Sequence, residues 1–81
     1  MNIFVARLNF KTKQEELENA FSKFGEVTSV KIIMDRETGR SKGFGFVEMA
    51  NDDEANRAIQ ELNETELDGR TIIVKPANPK S

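Results

Sequence analysis

The chain has 81 residues, of which 37% are hydrophobic and 32% are charged, which suits one small globular domain. The absence of cysteine and histidine excludes disulfides, thiolate metal sites and the commonest general base. Because the net charge is −2, any affinity for nucleic acid has to come from a local basic patch. No apolar run approaches the ~18 residues of a membrane span. We therefore expect a monomeric, cytoplasmic protein with no cofactor, no metal and no membrane partner.

The first third of the chain predicts a strand followed by a helix. Residues 3–8 begin with β-branched and aromatic side chains, as strands do. Thr12 and Glu15 have the spacing of a capping box, in which each satisfies a free backbone N–H at a helix start. The helix that follows has one apolar stripe, formed by Leu17, Ala20, Phe21 and Phe24. We expect Gly25 to end this helix in a left-handed conformation.

The middle of the chain predicts a β-hairpin. Residues 27–34 read as a second strand, and residues 42–49 as a third. Between them, residues 35–41 are polar and contain a glycine, which is typical of a hairpin loop.

The last third predicts a second helix and a final strand. Asn51 and Asp52 are candidate N-caps. The helix has a narrow apolar stripe, formed by Ala55, Ala58, Ile59 and Leu62. Residues 63–69 form a turn-rich connection to a strand over residues 71–75, and Pro76 ends regular structure.

The predicted order is strand, helix, strand, strand, helix, strand. It favours an α+β, ferredoxin-like split β-α-β sandwich (βαββαβ), with both helices on one face of a four-stranded antiparallel sheet. We expect one domain over residues 1–77 and a short flexible tail over residues 78–81.

The third strand has two chemically different faces, because side chains alternate along a strand. One face combines aromatic rings with charge, in Lys42, Phe44, Phe46 and Glu48. The opposite face carries Gly43, Gly45, Val47 and Met49. A face that mixes rings with charge suits a surface that stacks flat ligands and holds phosphates.

The predicted fold decides which face is open. An aliphatic set of one parity is available to meet the helices: Ile3, Val5, Val30, Ile32, Val47, Met49, Ile72 and Val74. Phe4, Phe44 and Phe46 then lie on the uncovered side of the sheet. Clustered exposed aromatics mark a binding surface more often than a packing accident.

The residues of two strands resemble the signatures of the RNA recognition motif family. Residues 42–49 fit the longer RNP signature, K/R-G-F/Y-G/A-F-V-x-F/Y, except that Met49 replaces an aromatic residue. Residues 3–8 resemble the shorter one, with Arg7 in place of the usual Asn. Residues 67–70 are also similar to the family. The chain is similar to small bacterial proteins with a single such motif. It could equally be one module of a longer protein.

The resemblance implies single-stranded RNA as the ligand, in a post-transcriptional role. Phe4 and Phe46 would stack bases, and Phe44 would pack either against a sugar or between residues. Lys42 would meet a phosphate, as would further cations near the open face: Lys31, Arg36, Arg40 and Lys75. Arg7 either alters the turn after the first strand or adds a phosphate contact. Lys80 could fold over the ligand, although an ordinary solvated charge is favoured there.

Other functions remain open at this point. Single-stranded DNA is a possible second ligand, and a protein-interaction module on the same fold is the alternative function. A small hydrolase is disfavoured because the serines have no evident base and no catalytic set is visible. Glu48 is an acid on the expected RNA face, where it either selects a base or only restrains affinity.

Overall fold

The computed structural model describes residues 1–77 and contains two helices and six strands in that range. In chain order they are β1 (Asn2–Ala6), α1 (Gln14–Ser22), β2 (Val27–Met34), β3 (Ser41–Met49), α2 (Asp52–Leu62), β4 (Glu66–Leu67), β5 (Arg70–Thr71) and β6 (Ile73–Pro76). The expected tail over 78–81, with Lys80, lies outside the described residues.

Four of the strands form one antiparallel sheet in the order β2-β3-β1-β6. The two central strands are β3 and β1, which the resemblance had identified as the signature strands. Buried residues from both helices and from one parity of the sheet belong to a single core cluster. The helices therefore cover one face, and the predicted ferredoxin-like arrangement is confirmed.

The core contains the predicted aliphatic set. All eight of its members are buried except Val30, which is partly buried against the cluster. From the helices, Leu17, Phe21, Ala55 and Ala58 are buried beside them. Alternate residues of β3 are buried from Ser41 to Met49, so its ring-bearing parity faces away from the core.

The first strand ends two residues earlier than predicted. Arg7 has a φ of 60°, in the left-handed region that breaks a strand. The chain then turns so that Leu8 is buried and its N–H donates to the carbonyl of Gly43 at 2.8 Å. This bond ties the loop after β1 to the start of β3.

The predicted capping box is wrong by one residue. The N-cap of α1 is Lys13, whose N–H donates to Glu16 Oε1 at 3.0 Å. The hydroxyl of Thr12 instead donates to Asp68 Oδ2 at 2.8 Å, and Thr12 is buried. The hydrogen-bond partner of Thr12 is therefore 56 residues away in the sequence. The local spacing of residues cannot predict such a contact.

Gly25 does not end α1 as predicted. The helix ends at Ser22, and Gly25 is not among the glycines with positive φ. A side chain at Gly25 would instead collide with that of Glu54, the third residue of α2. At the start of α2, the prediction for Asn51 is confirmed, because its Oδ1 accepts from the N–H of Glu54 at 2.9 Å.

The last predicted strand is divided. Arg70–Thr71 pairs with Glu66–Leu67 in a short hairpin that the sequence interpretation had assigned to a connection. Ile72 turns inward between the two parts, and its N–H donates to the carbonyl of Thr65 at 2.9 Å. The sheet strand is Ile73–Pro76, at an edge where the missing N–H of a proline is tolerated.

Candidate nucleic-acid interface

Three phenylalanine rings form one cluster on the uncovered face of the sheet. The ring centroid of Phe4 lies 5.5 Å from that of Phe46 and 5.9 Å from that of Phe44. The planes are tilted by about 50° and 48°. Phe46 is 39% exposed although it is a large apolar residue. The parity argument that turned these rings away from the helices is therefore correct.

The strand register places a cation on each side of the rings. Phe46 of β3 is opposite Phe4 of β1, while Lys31 of β2 is opposite Phe46 and Lys75 of β6 is opposite Phe4. These four residues form one row across the sheet, which we call the aromatic row. Paired positions on neighbouring strands bring Cβ atoms to within about 4.5–5.5 Å. The row therefore presents two rings between two ammonium groups.

A shallow groove of about 660 Å³ follows the aromatic row. Its lining is Asn2, Phe4, Ser29, Lys31, Phe46, Glu48, Lys75, Pro76 and Ala77. Phe44 lies beside the groove rather than in its lining. The arrangement offers flat apolar contact at the centre and positive charge at both ends, which suits a base with its flanking phosphates.

Known proteins of one family are similar to this chain in sequence and in architecture. The family model described as the RNA recognition motif matches residues 3–73. The chain belongs to the RNA recognition motif family. It is 51% identical over 77 residues to glycine-rich RNA-binding protein blt801 of Hordeum vulgare, covering 95% of this chain and 48% of that protein.

Two further comparisons agree with this assignment. Glycine-rich RNA-binding protein 4, mitochondrial, of Arabidopsis thaliana is 49% identical over 79 residues, covering 98% of this chain and 58% of that protein. The crystal structure of RNA binding protein PG1 superposes with a TM-score of 0.94 at 49% identity, covering 100% of this chain and 98% of that one. The chain spans about half the length of the curated relatives it matches.

Within this RNA recognition motif, a second row of polar residues borders the aromatic row. Glu48 of β3 is opposite Asn2 of β1 and Ser29 of β2. Sequence reasoning placed Glu48 on this face but missed both neighbours. Strand parity carries the missing signal, because Ser29 shares the parity of Lys31 and Asn2 shares that of Phe4.

The other predicted cations lie outside the groove. Lys42 is exposed at the start of β3, and Arg36 and Arg40 are exposed in the turn between β2 and β3. Arg7 is exposed directly after β1. The structure therefore brings two of the six predicted cations together with the rings. It leaves Lys42 at the start of β3, and the other three in the loops at that end of the sheet, near Phe44.

Asp35 gives the β2–β3 turn its shape. Its Oδ1 accepts the N–H of Glu37 at 2.7 Å and that of Thr38 at 3.2 Å. These two donors hold the pKa of the Asp35 carboxyl below its ordinary value of 3.8, and the charge of Lys42 acts in the same direction. At neutral pH the charged carboxylate fixes the turn that carries Arg36 and Arg40.

Gly45 is required by the close approach of two strands. It is paired with Ile32, and a Cβ at this position would collide with the carbonyl oxygen of Lys31. The glycine thus lets β2 pack closely against β3, which keeps Lys31 beside Phe46 in the aromatic row.

A second apolar surface, which the sequence analysis did not predict, lies on the helical side of the sheet. Phe10 is 63% exposed and Met34 is 53% exposed. They line a groove of about 500 Å³ together with Ile32 and Ser41 of the buried parity and with loop and helix-start residues Lys11, Thr12, Lys13 and Gln14. We call this surface the Phe10–Met34 patch.

Residues 1–77 lack two further kinds of site. No cluster of three or more histidine, cysteine or acidic side chains in this range is arranged to hold a metal ion. None of its helices has the length and apolar character needed to cross a membrane.

Proposed function

We propose that the open face of the sheet binds short single-stranded RNA. The observation that carries the proposal is the aromatic row, in which Phe46 and Phe4 lie between Lys31 and Lys75. Every base has a π-face, so a ring on each of two central strands accepts bases without requiring one sequence. Bases of a single strand can turn out to reach these rings, whereas those of a duplex cannot.

The individual roles follow from position. Phe46 and Phe4 stack one base each, and Phe44 packs against a sugar beside Phe4. Lys31 and Lys75 contact phosphates at the ends of the groove. Where the strand leaves the sheet, further phosphate contacts come from Lys42, Arg36, Arg40 and Arg7. The words RNA-binding in the names of both plant relatives and of the PG1 structure support RNA binding by this chain, while the individual roles are argued from position alone.

The test is an NMR titration of the protein with a short single-stranded RNA. We expect the amide and ring signals of Phe4, Phe44 and Phe46 to shift, with smaller changes on the helices. Shifts confined to the helices or to the Phe10–Met34 patch would overturn the proposal. A matched DNA oligonucleotide is expected to bind the same face more weakly, because it lacks the 2′-hydroxyls that RNA offers.

The remaining properties are proposals of the same kind. We propose a monomeric, single-domain binding module over residues 1–77 that has no catalytic activity and acts in a post-transcriptional step. We also propose a cytoplasmic location, to be tested directly because relatives are named as mitochondrial or chloroplastic. Light scattering at increasing concentration tests the monomer, and microscopy of a tagged chain in its own cells tests the location.

A further inference from the structure

Glu48 is an acid in the middle of a surface proposed to hold a polyanion. Its side chain is exposed and lines the groove beside Phe46. Within residues 1–77, no cation lies within 4.0 Å of its carboxylate and no N–H or O–H donates to it. Only its backbone carbonyl accepts a bond, from Thr28 Oγ1 at 3.1 Å. Both carboxylate oxygens are therefore free to accept hydrogen bonds from a ligand.

A free carboxylate is selective among RNA groups because it only accepts hydrogen bonds. It repels phosphates, and it repels the carbonyl oxygens on either side of N3–H in uracil. Cytosine and adenine offer an amino group next to an acceptor nitrogen. Guanine alone presents two neighbouring donors, N1–H and the N2 amino group, which match the two oxygens of one carboxylate.

We propose that Glu48 makes this groove selective for guanine. A guanine stacked on Phe46 would donate from N1 and N2 to the two carboxylate oxygens. Asn2 and Ser29, opposite Glu48 on the two neighbouring strands, supply neutral donors for the guanine O6. The inference rests on the proposed RNA binding and adds to it the base that the groove prefers.

Position on the sheet distinguishes this carboxylate from other exposed acids. Glu48 follows Phe46 by two residues on β3, so both side chains are on the same face and on neighbouring rows. A base on the ring of Phe46 therefore extends its edge toward the polar row. Single-stranded RNA leaves the Watson–Crick edge free for such contacts.

The experiment compares RNA hexamers that differ at one base. The probes are UUXUUU, where X is guanine, adenine, cytosine, uracil or hypoxanthine, and binding is measured by fluorescence anisotropy. Hypoxanthine lacks the N2 amino group and keeps the rest of guanine. For the unaltered chain we expect the guanine hexamer to bind about tenfold more tightly than the adenine, cytosine and uracil hexamers, with hypoxanthine between.

Glu48→Gln tests the carboxylate itself. The amide has one acceptor and one donor, so we expect the preference for guanine to fall to about twofold or less, and the hypoxanthine substitution to cost nothing further. Glu61→Gln, an exposed acid on α2, is the matched control and should leave the order of the five hexamers unchanged.

The outcomes separate this inference from the proposed function. Equal binding of all five hexamers, with shifts at Phe4 and Phe46, would overturn guanine selection and leave RNA binding intact. A hypoxanthine penalty that persists in Glu48→Gln would also overturn it. Binding of none of the hexamers would overturn both. The hypoxanthine comparison needs no variant, so it holds even if a substitution disturbs folding.

Discussion

The aromatic row and the Phe10–Met34 patch are both exposed apolar surfaces flanked by lysines, yet they are built differently. Phe10 is 63% exposed and Phe46 only 39%, so exposure alone would rank the patch first. In the aromatic row the rings of Phe4 and Phe46 lie on paired strands, and their centroids are 5.5 Å apart. Within residues 1–77, Phe10 makes no such ring pair, and it sits in a loop against Gly43.

The difference shows that register is more informative than exposure. Strand pairing fixes the distances between the four side chains of the aromatic row, because directly opposite Cβ atoms on neighbouring strands lie about 4.5–5.5 Å apart. A loop gives Phe10 no comparable partners, although the hydrogen bond between Leu8 and Gly43 anchors the start of that loop. We therefore assign the proposed RNA contact to the row and treat the patch as its internal control.

Phe46→Ala should produce the largest effect. The substitution removes a stacking platform worth roughly 1–3 kcal/mol per base, so we expect RNA affinity to fall by about tenfold or more. The fold should persist because the ring is on the open face rather than in the core. Anisotropy titration of the uridine-rich guanine hexamer measures the loss, and an unchanged circular dichroism spectrum confirms the fold.

Phe10→Ala is the matched control for that measurement. It also deletes an exposed ring, but on the helical side, and we expect affinity to change by less than about twofold, the size of an ordinary surface substitution. Equal losses from the two variants would mean that the ligand contacts both surfaces and that the contrast between them is wrong.

The lysines of the two regions should differ in salt dependence. A short RNA that engages two to four of the six proposed cations at a time predicts a slope of about −1.4 to −2.8 for log affinity against log salt, at ~0.7 per contact. Replacing Lys31 and Lys75 by Ala together should make the slope less steep by about 1.4. Replacing Lys11 and Lys13 removes the same charge from the patch and should leave the slope unchanged. A flat response in the unaltered chain would argue against any phosphate contact.

The features of the row could be predicted because they depend on strand parity. Alternation along β3 separated Phe44 and Phe46 from the buried glycines, and the supply of aliphatic residues decided which face the helices cover. Asn2 was missed because the first strand was begun one residue late. Strand parity puts Ser29 on the open face, but it was missed because only the pairing of β2 with β3 places it opposite Glu48.

Features that long-range contacts decide could not be predicted. The spacing of Thr12 and Glu15 matches a capping box, but a long-range bond to Asp68 engages Thr12 instead. Gly25 follows a helix, as C-capping glycines do, yet its φ is not positive and a Cβ there would collide with the side chain of Glu54. Phe10 carries no periodic pattern, so nothing local reveals its exposure. In each case the deciding partner comes from elsewhere in the chain.

Thr12→Val tests the loop beside the Phe10–Met34 patch, and it should change stability rather than RNA affinity. It removes the hydroxyl that donates to the Asp68 carboxylate and keeps the side-chain shape. We expect the free energy of unfolding to fall by about 1–2 kcal/mol, measured by urea denaturation, while RNA affinity stays constant. Thr71→Val, on the exposed strand β5, is the control and should change stability by less than about 0.5 kcal/mol. A parallel loss of RNA affinity would connect the patch to the row.

The smallest expected effect is the acid titration of the β2–β3 turn. Because the pKa of Asp35 is lowered in the folded chain, the stability that its hydrogen bonds contribute is present above pH 3.8 and is lost as the pH falls through the folded pKa. NMR titration should show the amides of Glu37 and Thr38 shifting together below pH 3.8. A midpoint above that value would contradict the assignment. Signals of Phe4 and Phe46 should not follow this transition.

The tilt between the rings has a consequence for the conformation of the RNA. Bases lying flat on Phe4 and Phe46 inherit a 50° angle between their planes, so they cannot remain stacked on each other. In the proposed complex, the bound strand would therefore give up its own base–base stacking at this step. Runs of adenine, which stack strongly, lose more than runs of uridine, and calorimetry should show a less favourable binding enthalpy for them. The geometry of two side chains thus favours RNA segments that are already loosely ordered before they meet the protein.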